Sequence, residues 1–227
     1  MALNKLKFNS LNVTPTAGKG IGFNSSADGL EATFSGGAMT FIKKLTASSS
    51  STLSFVDGSS DVVLDNTYKE YIFVFNNIHA ETRGDNAFTL NFSTDSGSNY
   101  NVSKVSTFFR TYHAEDGGGG LLTYDTSRDS PSGLTTSAIK ISHNQTDTDD
   151  NHSLSGYLHL FNPSSTTFVK HFISNISEVG YTGGATGSEM NLYVAGYGNT
   201  TSAIDGVQFK FESGNTDAGT ITLYGIN

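Results

Sequence analysis

Short runs of alternating apolar and polar residues occupy the chain from about residue 40 onward. The clearest is residues 87–93, AFTLNFS, whose apolar side chains recur at every second position. A period of two is typical of a half-buried β-strand, so the phenylalanines and the leucine are expected to face a core. The polar side chains expected to face solvent are Thr89, Asn91 and Ser93.

Twelve runs of this kind are predicted as strands. They are residues 40–47, 52–56, 71–78, 87–93, 102–112, 121–124, 137–142, 154–161, 167–174, 191–197, 203–213 and 219–226. Glycine, asparagine, aspartate and serine separate most of them, as expected of turns. Residues 71–78 are apolar on both faces over their first five positions, which predicts a central strand.

The pattern predicts an all-β protein with a single, jelly-roll-like β-sandwich domain over residues 39–227. Short, regularly spaced strands are typical of sandwiches and jelly rolls, in which two sheets hide their apolar faces against each other. No stretch has the period of a long amphipathic helix. No internal repeat is seen either, which argues against a solenoid or a propeller.

Residues 1–38 have a different pattern and are predicted to form an extended N-terminal arm. Turn residues interrupt the segment every few positions, so no element longer than a very short strand is expected. The arm cannot bury a core of its own, yet it is too apolar for a free linker. We therefore expect it to lie against a neighbouring surface. Its candidate partner-binding residues are Leu6, Phe8, Leu11, Val13, Ile21, Phe23 and Leu30.

Composition narrows the range of functions that are possible for the chain. The chain of 227 residues has 13 Lys and Arg against 21 Asp and Glu, a net charge of −8, and only 15% of its residues are charged. The absence of cysteine excludes disulfide scaffolds, thiol catalysis and cysteine-based metal sites. An acidic chain without a basic stripe is not expected to bind nucleic acid. No run of about 18 apolar residues is present, so no membrane insertion is expected.

No catalytic motif is recognised, and we expect a protein that is not an enzyme and has no cofactor. Residues 17–22, AGKGIG, fail the phosphate-loop pattern because Gly20 stands where Ser or Thr is required. Residues 113–120, HAEDGGGG, place acid and base side chains beside a glycine run, which favours a mobile surface loop over a rigid catalytic site. The six histidines show no metal-ligand spacing.

Residues 147–152 contain three carboxylates, which are oxygen ligands of the kind that calcium prefers. These weak metal candidates are Asp147, Asp149 and Asp150. The EF-hand spacing fails, because the sixth loop position lacks glycine and Leu158 occupies the position of the bidentate glutamate. An exposed polar loop is the favoured interpretation, and a calcium site is the alternative.

Ten tyrosines, together with abundant Asn, Ser, Thr and Gly, resemble the composition of adaptable recognition surfaces. Sugar-binding sites use the same aromatic and amide groups. The favoured interpretation for any one tyrosine is nevertheless that it caps the core and keeps its hydroxyl at the surface. Those near predicted strand ends or loops are Tyr100, Tyr112, Tyr124, Tyr181 and Tyr197.

Longer strings of the sequence carry a resemblance. They are residues 45–79, 106–117, 158–172 and 196–226, which together make up about half of the chain. These strings are similar to a family of virion proteins of marine tailed bacteriophages, including cyanophage-like ones. Residues 23–33, FNSSADGLEAT, also resemble the N-terminal regions of fibre-type proteins. Residues 121–151 depart from the pattern.

The resemblance implies a structural component of the virion, assembled in the host cytoplasm, with no catalytic residues to carry over. The leading hypothesis is a protein of tail-fibre or adhesin type, which residues 1–38 anchor to other virion proteins and whose sandwich loops contact a host surface glycan. A capsid decoration protein, of cement or head-fibre type, is the alternative in the same class. A stand-alone carbohydrate-binding module is more distant, and a glycan-cleaving enzyme is least favoured. Homotrimers are common in proteins of this kind.

The start of the chain bears on where it is made. Its first ten residues, MALNKLKFNS, include basic residues but no apolar core of a secretory signal after them. Synthesis and assembly in a cytoplasm are therefore expected, in agreement with the virion hypothesis.

Overall fold

The fold comes from a computed structural model, which describes residues 20–24, 26, 28–34, 37–82, 84, 86–130, 133–143, 151–181 and 187–227. These residues form strands and turns, with no helix long and apolar enough to cross a membrane. The strands are β1 (Gly20–Phe23), β2 (Leu30–Phe34), β3 (Met39–Thr46), β4 (Leu53–Val56), β5 (Glu70–Ala80), β6 (Phe88–Ser93), β7 (Lys104–Ala114), β8 (Gly120–Tyr124), β9 (Ile139–Lys140), β10 (Leu154–Phe161), β11 (Lys170–Tyr181), β12 (Gly187–Gly198), β13 (Gly206–Phe211) and β14 (Thr216–Ile226).

The chain divides into two compact units, Met1–Thr40 with Asn227, and Phe41–Ile226. In the first unit, β1 and β2 pair as an antiparallel hairpin. The side chain of Asn24 closes its turn, because Oδ1 accepts the backbone N–H of Asp28 at 3.1 Å. The described part of the predicted arm is therefore a short hairpin, and the boundary between arm and sandwich at residue 38 stays a prediction.

Two antiparallel sheets form a β-sandwich. The larger has eight strands in the order β3-β14-β5-β10-β11-β12-β7-β8, and the smaller has four in the order β4-β13-β6-β9. Strand β5 lies between β14 and β10, which confirms that residues 71–78 belong to a central strand. The all-β sandwich expected from the alternation is confirmed as well.

Phenylalanine rings of both sheets meet in the core. The ring centroid of Phe209, on β13, lies 5.3 Å from that of Phe73 and 5.2 Å from that of Phe75, both on β5 of the other sheet. Phe92 of β6 contacts Phe172 of β11 at 5.8 Å. Aromatic pairs of this kind contribute about 0.5–1.5 kcal/mol each beyond the area that they bury. Contact between the two phenylalanine-rich faces is thus what joins the sheets.

All twelve predicted strands are present, although several ends are shifted. The largest difference is in β11, which was predicted to end at residue 174 and continues to Tyr181. Apolar alternation fails in this stretch because Glu178 takes an inward position, where it is fully buried. Backbone pairing with β12 nevertheless continues to Tyr181. Conversely, residues 137–142 retain only the two-residue strand β9, at the edge of the small sheet.

The expectation that the polar residues of β6 face solvent is wrong. Thr89, Asn91 and Ser93 are all buried. Thr89 Oγ1 donates to the carbonyl of Lys210 at 2.7 Å, and Asn91 Nδ2 donates to the carbonyl of Tyr100 at 2.5 Å. Loop and strand backbone therefore covers the second face of β6, and hydrogen bonds to backbone carbonyls replace water.

Candidate functional site

The outer face of the eight-stranded sheet has a row of aromatic side chains. Backbone pairing places Tyr157 of β10 opposite Asn175 of β11, which in turn lies opposite Tyr193 of β12. The row continues through Phe109 of β7 to Tyr124 of β8. Strand residues alternate between the two faces of a sheet. The residues just before these on β11, β12 and β7 are buried, so the row itself faces outward.

We call Tyr157, Asn175 and Tyr193 the aromatic slot. The short amide side chain of Asn175 separates two large rings, whose backbones stand two inter-strand spacings apart, roughly 9.6 Å. Tyr157 is 43% exposed and Tyr193 is 38% exposed. On the side away from Asn175, Tyr193 stacks on Phe109 with ring planes 10° apart and centroids 5.0 Å apart. This stacking fixes one wall of the aromatic slot.

A depression of about 430 Å³ adjoins the aromatic slot, one step farther along the strands. The depression forms at Ala195, because the small side chain of this residue lies between the outward-facing Tyr193 and Tyr197 on β12. Ile173 of β11 and Thr107 of β7 lie opposite Ala195 on the two neighbouring strands. The depression is thus lined mostly by aromatic and aliphatic groups, together with the hydroxyl of Thr107 and the imidazole of His171.

The aromatic slot and the depression have no Lys, Arg, Asp or Glu among the described residues that line them. Carboxylates occur farther out on the same face, where other side chains contact them. Glu70 Oε2 lies 3.0 Å from His159 Nε2, and Glu189 Oε1 accepts a hydrogen bond from Ser177 Oγ at 2.7 Å. The described residues at the centre of this face therefore include no Lys, Arg, Asp or Glu, in a chain of net charge −8.

A second opening, of about 350 Å³, lies where β5 and β14 bulge. His79 Nδ1 lies 2.7 Å from Asp217 Oδ1, and Ser153 also lines the opening. A histidine oriented by a carboxylate is one part of a hydrolytic triad, which also needs a nucleophile hydrogen-bonded to the histidine. Ser155 Oγ, on the adjacent strand, accepts the backbone N–H of Asn77 at 3.0 Å and donates to Asn77 Oδ1 at 3.4 Å. The described geometry supports a role for His79 and Asp217 in joining the two bulged strands.

A largely buried ionic cluster connects the segment that follows β8 to the sandwich. Arg110 Nε donates to Asp125 Oδ2 at 3.1 Å, and His143 Nε2 lies 3.6 Å from the same oxygen. The backbone N–H of His143 donates to the buried Glu178 at 2.7 Å. Burial acts to raise the pKa of Asp125, but hydrogen bonds from Ser127 and the charges of Arg110 and His143 outweigh it and lower that pKa. These contacts hold Asp125 to β7 and His143 to β11.

The weak calcium candidates Asp147, Asp149 and Asp150 lie outside the described residues. Within the part of the chain that the structure describes, no three His, Asp or Glu side chains are grouped to hold a metal ion. Residues 113–120, expected to be a surface loop, form the end of β7 and its tight connection to β8, where the backbone N–H of Ala114 donates to the carbonyl of Gly119 at 3.1 Å.

Three of the arm candidates share one exposed face of the β1–β2 hairpin. Ile21 and Phe23 alternate with Gly22 along β1, and Leu30 lies opposite Phe23 on β2. Phe23 is 76% exposed, and the other two are also exposed. The candidates outside the described residues are Leu6, Phe8, Leu11 and Val13.

The tyrosines singled out from the sequence are dispersed. Tyr124 and Tyr197 lie on the outer face of the large sheet. Tyr112 packs against the core, and Tyr100 lies in the loop after β6. The side chain of Tyr181 is outside the described part of the structure.

Sequence reasoning missed the two tyrosines that form the aromatic slot. Tyr157 and Tyr193 lie in the middle of strands, whereas the tyrosines singled out from the sequence lie near strand ends and loops. A signal was present: Tyr193 stands between Leu192 and Val194, which are buried, so the alternation itself predicts an outward ring.

Comparison with known proteins does not assign the chain to a family. No family model matches the chain, and no curated protein is significantly similar to it in sequence. The resemblance to phage virion proteins stays a prediction.

Proposed function

We propose that the protein is a non-enzymatic structural protein of a tailed-bacteriophage virion, of tail-fibre or adhesin type. The virion class follows from the resemblance of residues 45–79, 106–117, 158–172 and 196–226. In this proposal, the N-terminal segment attaches the subunit to other virion proteins, and the sandwich presents its outer face to the host surface. The attached form is a homotrimer in the virion.

The exposed apolar face of the β1–β2 hairpin is the observation that carries the attachment. Ile21, Phe23 and Leu30 place three large apolar side chains side by side in contact with solvent. Clusters of this kind mark protein–protein contacts more often than lone exposed residues do. Burying a phenylalanine side chain contributes about 1.5–3 kcal/mol, so three such residues can hold a subunit in place.

Particle incorporation tests this proposal. A triple variant, Ile21→Ser, Phe23→Ser and Leu30→Ser, is introduced into a phage that encodes the protein, and its amount in purified particles is measured by quantitative mass spectrometry. We expect the variant to be folded but missing from particles. Phe168→Ser, at a residue that is 69% exposed on the sandwich, is the matched control and should be incorporated normally. Normal incorporation of the triple variant would contradict the attachment.

Copy number separates the tail role from the capsid alternative. The same mass spectrometry gives the number of subunits per particle. A tail-fibre or adhesin-type protein should be present in a small number of copies, whereas a capsid decoration protein covers the shell in large number. Electron microscopy of particles labelled on the sandwich locates the subunit directly.

A further inference from the structure

We propose that the aromatic slot, with the depression beside it, binds a neutral glycan. This inference deepens the adhesin part of the proposed function, since it assigns a ligand class and a site. Two features of the outer face support it: the strand register that places Tyr157 and Tyr193 on either side of Asn175, and the absence of Lys, Arg, Asp and Glu among the described residues that line the site.

The width of the aromatic slot fits one sugar ring. Two aromatic walls that enclose a ring need about 7–8 Å between them, twice a van der Waals separation of about 3.5–4.0 Å. The backbones that hold Tyr157 and Tyr193 are roughly 9.6 Å apart. The C–H faces of a pyranose are apolar and pack against aromatic rings, whereas its hydroxyls point outward around the rim. The tyrosines therefore contact the faces of the sugar ring, and polar groups must contact its edge.

Asn175 supplies such a polar group at the base of the aromatic slot. Its Oδ1 accepts one long hydrogen bond, of 3.5 Å, from Asn191 Nδ2. Its own Nδ2 donates to no acceptor in the described part of the chain. An amide with an unused donor and a weakly engaged acceptor can bind two adjacent hydroxyls of a sugar. Mostly apolar walls with a few convergent polar groups are typical of small-molecule sites.

The depression extends the site beyond one sugar ring. Ala195 is the next outward-facing residue after Tyr193 on β12. Its partner on β11 is Ile173, which is the outward-facing residue next to Asn175. Tyr197 and His171, with ring centroids 5.9 Å apart, lie at the far side. Its volume of about 430 Å³ lies within the range of ligand sites. An oligosaccharide that enters the aromatic slot can thus continue across Ala195.

The lack of Lys and Arg in the described lining, together with the negative net charge of the chain, favours a neutral ligand. A polyanionic glycan would meet the field of a chain with net charge −8 and find no Lys or Arg in the described lining of the site. A second copy of the chain is a poorer occupant, because Asn175 and Thr107 interrupt the apolar residues, whereas stable homodimer contacts are more continuously apolar at their centre. A neutral glycan satisfies both the rings and the amide.

An oligosaccharide array and titration calorimetry test the inference on the full chain. The array contains neutral hexose and hexosamine oligomers together with sulfated and uronic-acid oligomers. We expect binding to neutral members only, with an affinity that is unchanged between about 50 and about 500 mM NaCl because no charge pair is formed. Tyr157→Ala and Tyr193→Ala should each weaken binding of the best neutral oligomer by roughly tenfold or more, the equivalent of about 1.4 kcal/mol.

Tyr124→Ala is the matched control, since it removes an exposed tyrosine from the same row but outside the aromatic slot. It should leave the affinity within about twofold, which is a change of less than about 0.5 kcal/mol. Circular dichroism and thermal unfolding show whether each variant is folded. An array without neutral binders, binding only to acidic oligomers, or equal loss in Tyr124→Ala and Tyr193→Ala would each overturn the inference. A chain that self-associates through this face, and becomes monomeric on Tyr193→Ala, would overturn it too. Because the experiment uses the isolated protein, its failure is separate from failure to enter particles.

Discussion

Lys104 Nζ donates a hydrogen bond of 2.5 Å to Asn91 Oδ1 in the interior of the sandwich. Its other described acceptors are the backbone carbonyls of Val102 at 3.0 Å and Thr136 at 3.5 Å. These three acceptors are neutral, so they solvate the ammonium without neutralising it. Burial therefore lowers the pKa of Lys104 from 10.5 to about 8.

The depressed pKa of Lys104 predicts a pH-dependent stability. Between about pH 8 and about pH 10.5 the unfolded chain keeps this proton and the folded chain releases it, so this group makes the free energy of unfolding rise with pH. Lys104→Met removes the contribution. The stability of wild type relative to this variant should rise by roughly 2–3 kcal/mol across the window.

Urea unfolding at a series of pH values measures the effect of Lys104. The comparison with the variant cancels other titrating groups, including Tyr71, whose pKa burial raises. Lys69→Met, at an exposed lysine, is the control and should follow the wild-type pH dependence. Parallel curves for wild type and Lys104→Met would show that this lysine keeps its proton in the folded state.

Phe209→Ala should be among the most destabilising substitutions in the core. The ring of Phe209 contacts phenylalanines of both sheets and is fully buried, so its loss leaves a cavity at their junction. Core Phe→Ala changes cost about 3–5 kcal/mol. Chemical denaturation measures the loss. Phe168→Ala, at an exposed phenylalanine, should change stability by less than about 0.5 kcal/mol, and equal effects of the two would contradict the assigned core.

Gly219→Ala, in the bulge of β14, should destabilise the protein more than the same substitution at a left-handed glycine with open space around it. Gly219 has φ +104°, and a Cβ there would overlap the carbonyl oxygen of Asn77 and the Cα of Ile78. Gly58 also has positive φ, at +72°, but no atom lies within 4 Å of the position that a Cβ would take there. Gly58→Ala should cost about 1 kcal/mol. Gly219→Ala should cost at least about 2 kcal/mol more in thermal or urea unfolding, because the backbone must also move. Similar losses would disprove the close approach.

Asp125→Asn should lower stability at neutral pH and matter less in acid. The carboxylate accepts from Arg110 and Ser127, and its pKa lies below the usual value of 3.8. It therefore stabilises the fold above that value, and the contribution is lost as the pH falls through its folded pKa. We expect a loss of about 2 kcal/mol at pH 7, typical of hydrogen bonds to a charged group. Asp61→Asn, at an exposed aspartate, should have little effect, and a penalty for Asp125→Asn that stays constant down to about pH 2 would contradict the assignment.

Residues whose environment is local were predictable. Residues 71–78 lie in a central strand because both faces are apolar, and that is visible in five consecutive residues. Residues whose environment comes from distant chain segments were not. Asn91 was expected to face water, but the carbonyl of Tyr100 and the ammonium of Lys104 cover it. No pattern within β6 indicates these partners.

The candidate site also combines a part that local sequence predicts with a larger part that depends on distant chain segments. Alternation along β12 predicts that Tyr193 points away from Leu192 and Val194. It does not predict what stands beside Tyr193. The aromatic slot exists because β10, β11 and β12 pair in one register, which brings Tyr157, Asn175 and Tyr193 into line. A shift of one residue in any of these strands would turn its side chain to the other face.

The sequence by itself determined that this protein is built of β-strands with phenylalanine-rich inner faces and is poor in charge, because period-two alternation and composition act residue by residue. The tertiary structure decided which strands pair and which polar groups are buried, as with Lys104, Glu178 and Asn91. It also decided that an uncharged aromatic slot forms on the outer face. The physical reason is that register and burial depend on hydrogen bonds between strands that are distant in sequence, and no single strand encodes its neighbours.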